Sequence, residues 1–198
     1  MTEYATEEEL AQGLAEASIR DVFKQILGDK WDPEANPHLK DTPKRWVKMM
    51  KELTNGDDEE FNFTTFPNTL KKSEMVVLGP IRFNSLCAHH VIPFFGTAYV
   101  AYIPSNKIAG LSKLARTVTQ FSKGLWTQEE LTSEIATFLE EELKPIGVAV
   151  QMQAEHLCMS LRGVKMPGAL TTTSDLRGAF LKPMPGADPR GEFYNAIR

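Results

Sequence analysis

Leu10, Leu14, Val22 and Ile26, helped by Ala17 and Phe23, fall near the helical repeat and predict an amphipathic helix over residues 6–27. Thr6 with Glu9 forms a capping box at its start, and Gly28 supplies a stop. Residues 29–40 are a polar, proline-containing connection. Thr42 as cap and Pro43 in the first turn open a second helix, which carries Trp46, Met49, Met50 and Leu53 and ends near Asn55-Gly56. The acidic run Asp57-Asp58-Glu59-Glu60 reads as a solvated loop. From about residue 74 the pattern turns to strands, at Met75–Leu78 and at Thr97–Ile103, the latter apolar on both faces and so expected to be sandwiched. Helical spacing returns over 110–124 with Leu111, Leu114, Val118 and Phe121. A second capping box, Thr127 to Glu130, opens a helix whose buried side is Leu131, Ile135, Phe138 and Leu139, closed by Pro145 and Gly147. Residues 148–163 predict one long strand, Thr171 to Leu181 another, and Asp188-Pro189 a short C-terminal helix. The outline is α+β: an N-terminal helical region, 1–70, then a domain at 71–198 with an antiparallel sheet and a helical pair.

Composition narrows the class. The chain has 198 residues, 42% apolar and 24% charged, ordinary values for a globular protein with a full core. No run approaches the roughly 18 apolar residues of a membrane span. The start, Met1–Ala5, lacks a basic-then-apolar signal, so the expected address is cytoplasmic, with no membrane partner. A net charge of −4 argues against general nucleic-acid affinity.

The chemistry gathers in two short segments. Of two cysteines and four histidines, five lie in Cys87-Ala88-His89-His90 and His156-Leu157-Cys158. Each cysteine has a histidine within three residues, which favours metal binding over a disulfide. Cys87, His90 and Cys158 would make a Cys₂His set with one open position, the arrangement of catalytic zinc. His89 and His156 are then left for acid–base work. A closed structural zinc with His89 or His156 as fourth ligand is the alternative at this stage. On a continuous strand His156, Cys158, Ser160 and Arg162 would share one face, about 7 Å apart in steps. Lys113 and Arg116 share a helix face after Gly110-Leu111-Ser112, Arg45 and Lys48 share one on the second helix, and together with Arg162 they suggest a polyphosphate ligand. Glu129, beside Gln128, offers a carboxylate to the N–H groups of a planar heterocycle.

These segments, together with Pro93–Gly96, Val100–Pro104, Gly110–Arg116, Gln128–Thr132 and Glu155–Val164, resemble the GTP cyclohydrolase I family; Asp41–Arg45 and Thr172–Ser174 add further likeness, over about residues 10–198. The resemblance implies a T-fold, assembled into a homo-oligomer, a toroidal decamer with active sites at subunit interfaces. It implies GTP and water as reactants, zinc as cofactor, and formate and 7,8-dihydroneopterin triphosphate as products, at the head of folate, pterin or deazaguanine synthesis. By the same resemblance Cys87, His90 and Cys158 hold zinc, His156 protonates the purine imidazole ring, and His89 is a second catalytic histidine. Glu129 with Gln128 anchors guanine, and Lys113, Arg116, Arg162 and Arg45 hold the triphosphate, with Ser112 and Lys48 lining the pocket. Two stretches depart from the family. Ala88 replaces an acid, an expected threat to turn geometry or rate, and Lys123–Thr127 replaces an arginine-rich approach, its Gly124 being expected to weaken the helix end. Two further readings stand beside this one: a T-fold nitrile reductase, which works with a nucleophilic cysteine, and a catalytically impaired, zinc-stabilised purine- or pterin-binding protein.

Overall fold

The computed structural model describes residues 6–55, 61–182 and 186–198. The acidic run 57–60, Gly56 at the expected helix end and the polar start 1–5 lie outside them. The chain divides into two compact units, Met1–Leu53 and Thr54–Arg198.

In the first unit, helix α1 (Glu7–Leu27) begins with the Thr6/Glu9 capping box in place, both reciprocal bonds being made, and stops at Gly28, whose φ of 55° suits glycine. Its three first-turn glutamates and last-turn Lys24 complement the helix dipole. The apolar stripe behaves otherwise than expected: Leu10, Leu14, Val22 and Ile26 are exposed, and no α1 residue is buried. Phe23 finds Trp31 in the connection that follows, ring centroids 5.0 Å apart. In α2 (Thr42–Thr54) the buried positions are Pro43 and Val47, four apart, while Met49 is exposed and Trp46 half-buried. The inward stripe is thus turned from the one the large side chains suggested.

The second unit contains β1 (Thr65–Pro67), β2 (Val76–Cys87), β3 (Pro93–Ile103), β4 (Lys107–Ala109), α3 (Leu111–Phe121), β5 (Leu125–Trp126), α4 (Gln128–Leu143), β6 (Gly147–His156), α5 (Leu157–Ser160), β7 (Leu170–Gly178) and α6 (Pro189–Ala196). Five strands form a sheet in the order β5-β2-β3-β6-β7, antiparallel except where β5 runs parallel to β2; β1 and β4 form a separate ladder. This is the expected α+β architecture of an antiparallel sheet with a helical pair. The pair, α3 and α4, covers one face. Leu114, Val118, Leu131, Ile135, Leu139 and Leu143 pack with Phe94, Ala98, Val100, Tyr102, Val148, Val150 and Met152, all withdrawn from water. Each such aliphatic side chain contributes about 1.5–3 kcal/mol. The opposite face packs Ala101, Ile103 and Ala149 against Phe180 and Phe193 of the C-terminal segment, so β3 is sandwiched as its sequence predicts. Tyr102 is buried, and its hydroxyl accepts from the Ala109 N–H at 2.9 Å, fastening β4 to the sheet.

Two strands differ from expectation. β2 does not stop at Leu78 but passes Gly79-Pro80 with a register shift and runs on to Cys87. The predicted strand 148–163 ends at His156. Its neighbours run out there, since Phe94 of β3 pairs with His156 and Leu170 of β7 pairs with Glu155. Without a further rung the chain turns into the single helical turn α5, which takes Cys158, Ser160 and then Arg162 off the strand face. Between β3 and β6 the backbones lie close: a Cβ at Gly96 would stand 1.9 Å from the Gln153 carbonyl oxygen.

Candidate active site

One end of the sheet gathers the end of β2, the start of β3, the end of β6 and, through β5, the start of α4. The turn between β2 and β3 carries Cys87-Ala88-His89-His90. The Cys87 carbonyl accepts from His90 N–H at 3.2 Å and Val91 N–H at 2.8 Å, while Cys87 N–H donates to Ile92 O at 2.9 Å. Ala88 N–H donates to Trp126 O at 3.0 Å, locking the turn to β5. The turn is therefore closed by backbone bonds, whatever side chain stands at 88.

Gly124 likewise has a local reason. It lies between α3 and β5, beyond the helix end, with φ 131°, where a Cβ would stand 2.9 Å from the Trp126 indole nitrogen. That nitrogen donates to the Lys123 carbonyl at 3.2 Å. The expected weakening of a helix end does not arise, because α3 has already stopped at Phe121.

The turn and α5 bring Cys87, His90 and Cys158 together, with ligand atoms all within 4.8 Å of one another. The two sulfurs are 4.0 Å apart, and Cys87 Sγ is 3.8 Å from His90 Nδ1. Tetrahedral zinc with ordinary bond lengths would space such donors about 3.6–3.8 Å apart, so the two separations from Cys87 Sγ fit closely and the third, within 4.8 Å, closes by at most about 1 Å. Burial, followed by the neighbouring Cys87 sulfur, pushes the Cys158 thiol above its usual pKa, with Arg162 acting the other way. Two adjacent thiols resist becoming two thiolates unless a cation sits between them. His89 stands at the edge of the set, its Nδ1 3.8 Å from Cys87 Sγ.

His156, at the last position of β6, is half-buried and is held in two ways. Its ring stacks on Phe94 at 4.6 Å with planes 1° apart, and Nε2 lies 2.8 Å from Gln128 Oε1. That bond occupies Nε2, and among the described residues the group able to hold a metal is Cys87, His90 and Cys158, without His156. Burial holds this imidazole below its usual pKa, and the negative charge of Glu129 opposes the shift. Glu129 itself is exposed at the second position of α4. Gln128, expected among the substrate ligands, is a residue only 1% exposed, and its amide is bonded inside the protein.

The expected anion ligands are distributed otherwise. Ser112, Lys113 and Arg116 occupy the first two turns of α3, with Lys113 half-buried and the other two exposed. Arg162 is exposed just past α5, and its charge reaches Cys158. Arg45 and Lys48 belong to α2 in the first unit: Arg45 donates to the His38 carbonyl at 2.7 Å and Lys48 faces Glu52 at 3.8 Å. Sequence reasoning missed the Phe94 stack, the Gln128 contact and a tether at Glu155, which accepts from Ser160 Oγ at 2.5 Å and Gly168 N–H at 3.0 Å. The sequence signals for these were slight, because each depends on tertiary burial.

Comparison with known proteins bears on the same residues. The sequence model of the family described as GTP cyclohydrolase I matches residues 15–198. A protein of Sulfurihydrogenibium sp. (strain YO3AOP1) named GTP cyclohydrolase 1 is 51% identical over 182 residues, 92% of each chain. One of the same name from Aquifex aeolicus (strain VF5) is 47% identical over 177 residues, 89% of this chain and 92% of that one. Among solved structures, the archaeosine synthase QueF-Like in the apo form aligns with a TM-score of 0.44 and 18% identity, over 55% of this chain and 97% of its own.

Proposed function

The chain belongs to the GTP cyclohydrolase I family, and from that premise we propose that it opens the guanine imidazole ring of GTP by hydrolysis at C8, giving formate and 7,8-dihydroneopterin triphosphate. The observation that carries the reading is the convergence of Cys87, His90 and Cys158 within 4.8 Å, beside a histidine held by stacking and by an amide. Those three residues would hold zinc. Zinc held there would supply Lewis acidity, lowering the pKa of a bound water toward about 7.

The chain's own groups supply the rest. His156 gives a proton to the purine ring nitrogen, which makes C8 a better electrophile. His89, on the same turn as His90, serves proton transfers as the ribose opens and a six-membered ring closes. The Glu129 carboxylate accepts the guanine N–H groups. Lys113, Arg116, Arg162 and Arg45 bind the triphosphate, with Ser112 and Lys48 at the pocket wall, and this clamp retains the opened intermediate between steps. We place the enzyme in the cytoplasm as a homo-oligomer, a decamer by family resemblance. Among the described residues no helix is long and apolar enough to cross a membrane.

The test is turnover with metal analysis. Purified, metal-loaded protein given GTP is expected to release formate and to yield a product that fluoresces after oxidation. Glu129→Ala is expected to abolish this while retaining its metal. Absence of turnover at full metal loading would favour the binding-protein reading that Ala88 first suggested, and full turnover by Glu129→Ala would remove that residue from its role.

A further inference from the structure

The Gln128 amide is buried, which is costly unless each polar atom is bonded, and its bonds can be assigned by elimination. One amide atom lies 3.1 Å from Met152 O and 3.0 Å from Thr171 O; carbonyls only accept, so that atom is the nitrogen. Its third contact, Thr173 Oγ1 at 3.0 Å, is fixed by two hydroxyls. Thr132 Oγ1 donates to the backbone carbonyl of Gln128 at 2.6 Å and so spends its single hydrogen. The 2.6 Å bond between the hydroxyls of Thr132 and Thr173 must then have Thr173 as donor, which leaves Thr173 a lone pair for the amide N–H. A flipped amide would press its oxygen against three acceptors. The oxygen therefore faces His156 Nε2 at 2.8 Å, and that ring nitrogen must carry a hydrogen. Phe94, parallel to the ring, fixes its plane.

We propose that Gln128 is a positioning residue for His156, locking the ring as the Nε2–H tautomer and making Nδ1 the atom that exchanges a proton with the substrate. The proposal rests on the reading of His156 as the proton donor. In that step the Nδ1–H bond of the imidazolium breaks, its electron pair stays on Nδ1, and the proton goes to the purine nitrogen. The neutral ring left behind keeps its Nε2–H on the Gln128 oxygen. The side chain of Gln128 is thereby removed from the set that touches guanine. The ring of bonds through Thr132 and Thr173 gives those hydroxyls a share in the same task.

The test uses the metal-loaded full chain labelled with ¹⁵N at histidine, with long-range ¹H–¹⁵N spectra assigned by His156→Asn. Wild type is expected to show neutral His156 as the Nε2–H tautomer alone, and Gln128→Met, close in volume and without hydrogen-bonding N or O atoms, to show both tautomers. For Gln128→Met, kcat is expected to fall about 10-fold or more while KM for GTP moves less than about threefold. Thr173→Val is expected to give a smaller fall in kcat, with KM likewise held. An Nδ1–H tautomer in the wild type would overturn the proposal, as would a Gln128→Met enzyme with raised KM and unchanged kcat. Should Gln128→Met fail to fold, the wild-type tautomer and Thr173→Val decide the matter. Full kcat in His156→Asn would overturn the donor reading and the Nδ1 assignment, leaving the tautomer lock to be judged by the spectra.

Discussion

At the scale of single residues, one guanidinium joins the outermost strand of the second unit to its longest helix, beyond the bonds that Gln128 and Thr132 already make to Thr171 and Thr173. Arg177 of β7 donates to Asp175 from Nε and Nη2 at 3.0 and 2.9 Å, and to Glu140 of α4 at 2.9 Å. It also donates to the Ser133 carbonyl at 3.1 Å and to Thr137 Oγ1 at 2.9 Å. With 21% of the side chain exposed, these bonds are only partly shared with water. Arg177→Met keeps the packing stem and removes the fork, leaving Asp175 and several oxygens without their donor. It is expected to cost roughly 2–3 kcal/mol, read from the shift in urea midpoint. Metal content should stay unchanged, because nothing in this cluster touches Cys87, His90 or Cys158. The same scale gives local structural roles to the two positions read as departures from the family pattern. Ala88 contributes its backbone N–H to Trp126 O, and Gly124 contributes space for the Trp126 indole.

Among elements, the stretch after β6 decides what the site can hold. Glu155 reaches across residues 161–167, taking a hydrogen bond from Ser160 at one side and from Gly168 N–H at the other. The enclosed segment includes Arg162 and begins three residues after Cys158, so the tether links a proposed metal ligand to a proposed anion ligand. Glu155→Ala is expected to loosen both, with metal retention against a competing chelator falling about 10-fold and KM for GTP rising. The Ser160 hydroxyl, followed by Gly168 N–H, holds this carboxylate below its usual pKa. A depressed folded-state pKa means the tether's stabilisation is full above the unfolded value and fades as pH falls through the folded one. It should therefore persist at pH values just below 4.5, where an ordinary glutamate has already passed half protonation. This element was also the hardest to see in the sequence. The series His156, Cys158, Ser160, Arg162 keeps a strand period by coincidence, and only the loss of neighbours beyond Phe94 and Leu170 ends the strand. Gly79-Pro80 hid the continuity of β2, and two-residue β5 is too short to leave a pattern. Helices with chemical punctuation were legible: Thr6/Glu9 and Thr127/Glu130 cap as expected, and Asp188 accepts from Gly191 N–H to start α6. The metal trio was legible because cysteine and histidine are scarce elsewhere. The duty of Gln128 was not, since only the folded packing withdraws that amide from water.

For the whole molecule, the apolar surface left uncovered sets the last expectation. Helix α1 has 21 residues and none is buried; Leu14 is 71% and Ile26 74% exposed. A stripe of this kind at helical spacing gains little from forming in isolation, since most helix stability in proteins comes from covering such a face. Near the metal trio a second group is exposed: Val91, Phe95, Met159, Leu161, Val164 and Met166. Extended apolar exposure of this sort is the mark of an association surface. Among the described residues Ser112, Lys113 and Arg116 make no hydrogen bond or ion pair with the metal trio or with His156, so no such bond ties the proposed anion ligands to those residues within one copy. A substrate site shared between copies would account for both observations, in line with the proposed homo-oligomer. Light scattering on the purified chain is expected to give a multiple of the single-chain mass, and Leu14→Glu combined with Ile26→Glu to lower it. Because the metal trio lies within one chain, the doubly substituted protein should keep its metal while losing GTP turnover. A wild-type particle of single-chain mass that still turns over GTP would show instead that one copy completes its own site and that the exposed stripes serve another purpose.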